Sequence, residues 1–588
     1  MRKMWSTINK VTGRAKKKHD ISDTFLVNGQ KITDRKNIAN GFCRYFTGIG
    51  EQLAAEIPPP THSPEHYLGM QRHDRSIFMS PTDHQEIEKI VSKLKGKKSC
   101  GHDQISSSFI KHVIHNISIP LASIINKSLE SGKVPHTFKL AKVIPIYKKK
   151  EHNLFSNHRP ISLLPSFSKI LEKVVHYRVY KFLDKHNIFC PSQYGFRQNH
   201  STVDAVTELI FNITKSMDNK EVACSVFLDL SKAFDTINHK TLLRKLEFYG
   251  IRGIALEWFR DYLTNRKQFV CYKDYNSDVL PLTCGFPQGS VLGPLLFIIY
   301  INDLPNCLKY CKCVLFADDT TVYLSSNNRN DLRTRINSDL SNLGEWFRSN
   351  KLSLNVEKTE YMVFETKQGN YDFPITIANK QIHATDHVRF LGIILDNKLT
   401  WERHITHCRN KITGGTYALR SSKSILNVPH LRIIYNSLID SYLNYGLLLW
   451  GSALRKYIKP LEIQQNKAIR AVINAHYTAS ACPLYKALKL LPLMSKYKLN
   501  MGKFMYKYHA QNLPSPLQCR FITNAAVHDH NTRTRHHPHI IMHQTSRSTN
   551  SFIHQAPHLW YGTNDSIKTA RSLKQFTSRY KKQLISEL

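Results

Sequence analysis

The chain has 588 residues, and 41% of them are hydrophobic, enough for packed cores in several domains. Lys and Arg number 83 against 44 Asp and Glu, a formal net charge of +39 that exceeds an ordinary solvated surface and points to a polyanionic partner, nucleic acid before an anionic membrane. Apolar runs such as PLLFIIYI (294–301) are too short to span a bilayer, and the basic start MRKMWSTINKVTGRAKKKH lacks the apolar centre of a secretory signal, so an intracellular chain with no transmembrane segment is expected.

The first forty residues carry ten Lys or Arg and three acids and read as a basic arm, followed by the Pro-rich linker IPPPTHSPEHY (57–67). HQEIEKIVSKLKG (84–96) has a helical period, with Ile87, Ile90, Val91 and Leu94 on one face. LAKVIPIYKK (140–149) is strand-like, and SFSKILEKVVHYRVYKFLDKH (166–186) is a long amphipathic helix. VACSVFLDL (222–230) has the character of a buried strand, and KTLLRKLEFYGI (240–251) is helical, as is the stretch after GFPQGS. VLFADDTTVY (314–323) is strand on both sides of two aspartates, DLRTRINSDLSNLGEWFRSN (331–350) is a helix, and YMVFETK and FLGIILD are further strands.

After residue 400 the pattern turns helical. LRIIYNSLIDSY (431–442) puts Leu431, Ile434, Tyr435, Leu438 and Tyr442 on one face, and NKAIRAVINA (466–475) makes a core stripe of Ala468, Ile469, Val472 and Ile473. Residues 501–588 hold twelve Lys or Arg and three acids with aromatics interleaved, which suits either stacking on single-stranded nucleic acid or a solvated tail. The 12 cysteines form no CxxC pair, so Cys307, Cys311 and Cys313 read as small buried or surface residues rather than zinc ligands. HDHNTRTRHHPHIIMH (528–543) reads as a solvated basic loop or a phosphate contact.

Asp318 and Asp319 in FADD fit two readings, a polar hairpin turn or a site for a hard divalent cation. Asp229 bears on the choice, because it ends the apolar run VACSVFLDL, where an unpaired acid is costly. If the two strands pair in one sheet, the carboxylates meet at one edge and can hold two metal ions roughly 3.5–4 Å apart, the geometry for in-line phosphoryl displacement. Neighbouring strand residues face opposite sides, so Asp318 is expected to bridge the metals and Asp319 to aid one of them or the turn.

FADD (316–319), FLDLSKAFDTIN (227–238) and GFPQGSVLGPLLF (285–297) together resemble the reverse transcriptase domain of jockey-like non-LTR retrotransposons. KKSCGHDQI (97–105), KVIPIYKK with NHRPISLLP (157–165), QYGFRQNHST (193–202), NKLSLNVEKTEYMVF (350–364), FLGIILDNKLTWERHI (390–405) and LEIQQNKAIRAVI (461–473) fall in the family's order. The resemblance runs from about residue 85 to 475 and continues weakly to the end.

The resemblance implies catalytic, metal-holding roles for Asp229, Asp318 and Asp319, with two Mg2+ ions and Mn2+ as a substitute. Lys142 and Arg159 match positions that hold the incoming triphosphate, a task suited to Arg. Phe234 matches an aromatic gate that excludes a ribose 2′-OH, while Asp235 is expected to serve a turn or helix start. Gln288 is expected to contact the nucleotide or template base, and Gly289 to let the backbone come close. Lys358 matches a lysine that helps the leaving pyrophosphate by proton donation. Two departures stand out: Phe286 replaces a small aliphatic residue and is expected to crowd the nucleotide pocket, and HDQ (102–104) replaces PDG in a turn.

The expected fold is α+β, a right-hand polymerase with fingers, an antiparallel-sheet palm, a helical thumb and a basic, mostly helical C-terminal region. The expected divisions are 1–84 basic arm and linker, 85–400 fingers and palm, 401–480 thumb and 481–588 basic C-terminal region. Full-length family members carry an N-terminal endonuclease, and about 85 residues are too few for one, so a chain lacking it is expected. The expected function is RNA-directed DNA polymerase, with an RNA template, a DNA primer, the RNA–DNA hybrid and dNTPs as partners, no membrane, and a place in the nucleus or cytoplasm. A non-catalytic RNA-binding remnant and a maturase-like splicing factor are the rival readings.

Overall fold

The computed structural model describes residues 5–6, 24–27, 30–69, 71–148, 151–365, 374–527, 529–530, 535, 537–540 and 546–588. It is a mixed α+β chain built around a five-stranded sheet of order His383–Ala384, Glu360–Phe364, Val222–Leu228, Asp319–Ser326, Lys312–Phe316. Every pair in it is antiparallel except the short edge pair of His383–Ala384 with Glu360–Phe364.

Val222–Leu228 is buried along its whole length because both faces of the sheet are covered. Cys224, Val226 and Leu228 join the core formed with helices Ser166–Lys185, His239–Phe248, Gly293–Tyr300 and Arg329–Ser349. Ala223 and Phe227 point the other way, into a second core shared with helix Thr202–Asp218 and the helices that follow residue 400. Alternating side chains on a strand sandwiched between two cores produce the continuous apolar run seen in the sequence.

A second sheet, of order His158–Leu163, Leu140–Tyr147, Lys267–Tyr272, Tyr275–Asn276, lies beside the first in the chain path. Helix Arg35–Ala55 covers one face of it, burying Ile38, Phe42 and Phe46 against Val143, Val270 and Tyr272. Only the first six residues of this helix, 35–40, belong to the stretch read from its charge as a basic arm; the rest lies between that arm and the Pro-rich linker. The i, i+4, i+8 spacing of Ile38, Phe42 and Phe46 is the apolar stripe that the surrounding basic residues obscured.

The HDQ departure is accommodated by Gln104, which takes a left-handed φ of 57°. Among the described residues one helix, Ser107–Ser131, is long and apolar enough to cross a bilayer. Its Ile110, Ile114, Leu121, Ile125 and Leu129 are packed into the first core.

The region after residue 400 is helical, as expected. Leu431, Ile434 and Tyr435 are buried, but the stretch passes through a π-helical segment at Asn436–Asp440. That extra residue in the turn rotates the later part of the stripe, so Leu438 and Tyr442 are only partly buried. Ala468, Ile469 and Val472 are buried in helix Arg455–Ile473, with Ile473 at the margin.

Several aromatics after residue 500 are core residues. Phe504, Phe552, Trp560, Phe576 and Tyr580 are buried, with Phe504 edge-on to Phe552 at 5.3 Å and Trp560 against Phe576 at 5.8 Å. Those rings are committed to packing, so the idea of a base-stacking tail does not apply to them. The His-rich stretch 528–543 lies mostly outside the described residues. Cys307, Cys311 and Cys313 are buried free thiols.

Candidate active site

The two aspartates of FADD stand at a tight hairpin tip. Phe316 pairs with Asp319, which leaves Ala317 and Asp318 as the two turn residues. Ala317 has φ 55°, a left-handed conformation that costs a non-glycine residue roughly 1–2 kcal/mol. The loop QYG holds it there: Ala317 N–H donates to Gln193 Oε1 at 3.1 Å, and Tyr194 N–H donates to the Leu315 carbonyl at 2.8 Å. The expected Asp318/Asp319 asymmetry is present, but its origin is the turn: Asp318 is a tip residue and Asp319 the first residue of the return strand.

Asp229 arrives at the same end of the sheet. Thr320 pairs with Leu228, so Asp229 is one step beyond the ladder beside Asp319. The Asp229 carbonyl accepts from Asn355 N–H at 2.8 Å, which fixes the strand end to the NVEK segment. From that segment Lys358 Nζ donates to Asp229 Oδ2 at 3.1 Å.

Electrostatics show the crowding. The Asp319 carboxyl is pushed up to about 6 by the protein packed behind it, then by the charges of Asp318 and Asp229. Asp318 is raised by its surroundings and by Asp229, and held back by its own backbone N–H and by Arg159 and Lys148. Three repelling carboxylates at one corner offer hard oxygen donors to a divalent cation, so this donor set fits one. Among the described residues no three acidic, His or Cys side chains already close on one point, and Asp229 is instead turned to Lys358.

Arg159 and Lys142 leave the same face of the second sheet. Arg159 is opposite Ile146 and Lys142 opposite Leu163, four positions apart, or roughly 13 Å along the strand. Arg159 is the one whose charge reaches Asp318, together with Lys148, to which the sequence analysis gave no role.

Phe234 is partly buried, stacked on Phe297 at 4.5 Å with Phe196 edge-on at 6.4 Å. Gly289 has φ 129°, and a Cβ there would lie 2.6 Å from the Ser162 carbonyl oxygen, so the loop needs glycine to dock on the strand that carries Arg159. Gln288 donates from Nε2 to both carboxylate oxygens of Asp235, at 2.9 and 3.0 Å. The Asp235 side chain is therefore tied to the GFPQGS loop, while its N–H closes a turn on the Lys232 carbonyl at 2.8 Å, the turn role expected of it. Phe286 is 4% exposed, is packed in the first core with its ring toward His239, and lines a small cavity with Asp235 and Gln288.

Residues 146–395 match the reverse transcriptase (RNA-dependent DNA polymerase) family, a stretch that holds each of these residues except Lys142. The chain thus carries a reverse transcriptase domain. It is related to the polymerases of jockey-like non-LTR retrotransposons. It is 28% identical over 533 residues to the RNA-directed DNA polymerase from mobile element jockey of Drosophila melanogaster, covering 86% of this chain and 58% of that one. It is 30% identical over 433 residues to the probable RNA-directed DNA polymerase from transposon BS of the same fly, covering 71% and 47%. It is 28% identical over 445 residues to that from transposon X-element, also of Drosophila melanogaster, covering 73% and 48%. The chain spans about half the length of these curated relatives.

Proposed function

We propose that this chain is an RNA-directed DNA polymerase that adds dNTPs to a primer 3′-OH on an RNA template. The observation that carries the reading is the strand register that lays Asp229 beside Asp319 and the Asp318 tip. In this reading the first sheet is the palm, the second belongs to the fingers, residues 401–480 are the thumb and 481–588 a basic C-terminal region.

Asp229, Asp318 and Asp319 would hold two Mg2+ ions, or Mn2+ in their place. Bound there, the ions supply charge neutralisation at the attacking hydroxyl and the leaving pyrophosphate. Arg159 and Lys148 hold the triphosphate against the carboxylate corner, with Lys142 further along the same face. Phe234, braced by Phe297, blocks a 2′-hydroxyl. Lys358 leaves Asp229 and donates a proton toward the pyrophosphate. The positive charge binds template and hybrid through phosphate and shape, and the nucleus or cytoplasm is the place of work in this reading.

Primer extension on poly(rA) with an oligo(dT) primer and Mg2+ tests the reading. DNA synthesis by the full chain is the expected result. Tight hybrid binding with no synthesis would mean a non-catalytic remnant instead.

A further inference from the structure

Three segments meet around Asp235. Gly285 N–H donates to the Ile237 carbonyl at 2.9 Å and Phe286 N–H to the Phe234 carbonyl at 3.1 Å, lacing the GFPQGS loop to the segment after Asp229. Ser162 N–H donates to the Gln288 carbonyl at 2.8 Å, tying the same loop to the strand of Arg159. The backbone of Asp235 is held on two sides. A Cβ on Gly285 would lie 2.7 Å from its Cα, and one on Gly50, in helix Arg35–Ala55, would lie 2.4 Å from its carbonyl oxygen. The carboxylate therefore sits on a rigid platform.

An ionised carboxylate only accepts hydrogen bonds. Both Asp235 oxygens face Gln288 Nε2, so the orientation of the amide is settled and its Oε1 is turned the other way. Gln288 is only partly buried, and it lines a small cavity with Asp235, Pro160 and Ser162. We infer that Asp235 is a positioning residue: it locks Gln288 with its acceptor oxygen toward the incoming nucleotide, where it takes a hydroxyl or amine donor of the substrate. This rests on the polymerase reading and adds to it the residue that sets the polarity of one contact. Lys232, Tyr45 and Cys284 are the other titratable groups beside Asp235; the Cys284 thiol donates to the Asp235 backbone carbonyl at 3.4 Å, and none of the three bonds a carboxylate oxygen.

A double-mutant cycle on the full chain tests it, with dTTP on poly(rA)/oligo(dT) as the probe and KM, kcat and melting temperature as readouts. Asp235→Asn is expected to raise KM for dTTP about fivefold, because Asn keeps one acceptor but loses the charge that strengthens the bond to Gln288, with kcat within about twofold. In a Gln288→Ala background the same change is expected to leave KM where it was. An equal rise of KM in both backgrounds, or no rise in either, overturns the inference.

Should Asp235→Asn alone not fold, the swap carries the test. Gln288→Glu sets two carboxylates against each other and raises KM, and adding Asp235→Asn restores a donor–acceptor pair and brings KM down again. A double variant worse than Gln288→Glu overturns the inference. A wild-type chain that makes no DNA overturns the polymerase reading itself, and the inference with it. Synthesis by the wild type with an uncoupled cycle overturns only the role of Asp235.

Discussion

Asp229 and Asp319 stand at the same end of neighbouring antiparallel strands: the ladder's last interstrand pair is Leu228 with Thr320, and one step outward brings the two acids side by side. The 89 residues between them, including three α-helices and one 3-10 helix, serve to return the second strand to that register. A slip of one residue would put Asp319 on the other face, and the QYG loop bonded to Leu315 and Ala317 is what opposes it.

Lys358 pairs with Asp229, though both are largely in solvent, so the pair itself adds little stability. In the proposed reaction Lys358 is the proton donor to the pyrophosphate. Lys358→Met is expected to lower the single-turnover rate about 100-fold, the size of a lost general acid, with hybrid affinity unchanged. Rapid-quench extension beside a filter-binding assay reads both. An unchanged rate would make Lys358 a solvated partner of Asp229 and nothing more.

Phe234 owes its orientation to Phe297, which is fully buried behind it. Phe234→Ala removes the ring of the proposed gate and is expected to cut discrimination between dTTP and UTP at least about tenfold. Competition between the two nucleotides on one primer measures it. The same selectivity in the variant would remove Phe234 as the gate.

His404 provides a pH test independent of the active site. It is buried against Trp450 and accepts from the Ile394 N–H at 3.3 Å. Burial, then the nearby charges of His407 and Arg389, lower its pKa from 6.5 to about 4. Above pH 6.5 neither the folded nor the unfolded chain is protonated there, and the full contribution is present. As the pH falls from 6.5 toward 4, the unfolded chain takes up a proton that the folded chain refuses, and stability is lost. The wild type is expected to lose about 2–3 kcal/mol more than His404→Asn over that range, read by denaturant melts at each pH. Parallel curves would mean that His404 titrates normally.

Charge predicts the salt response. With +39 on the chain, hybrid affinity is expected to fall by at least about 1000-fold between 50 and 200 mM salt, as for six or more phosphate contacts. Fluorescence anisotropy across a salt series gives the slope. A flat response would assign the charge to something other than nucleic acid.

Most of the architecture was legible because strands and helices here carry their own periods. The central strand reads as an unbroken apolar run since it has a core on each side, and the Asp229–Asp318–Asp319 corner followed from acids at strand ends. Three things were hidden. The helix Arg35–Ala55 was masked by its basic neighbours. The aromatics after residue 500 have the same composition whether they stack on bases or on each other, and only the fold shows Trp560 against Phe576. The Asp235–Gln288 bond joins residues 53 positions apart in two loops without a period of their own.

The central claim is that the FADD corner carries the chemistry without carrying the fold. The most direct measurement is primer extension on poly(rA)/oligo(dT) by Asp318→Asn beside the wild type, with hybrid affinity measured on the same preparations. Extension reduced to background at unchanged affinity and melting temperature is the predicted result. Extension at the wild-type rate, or loss of hybrid binding together with activity, would contradict it.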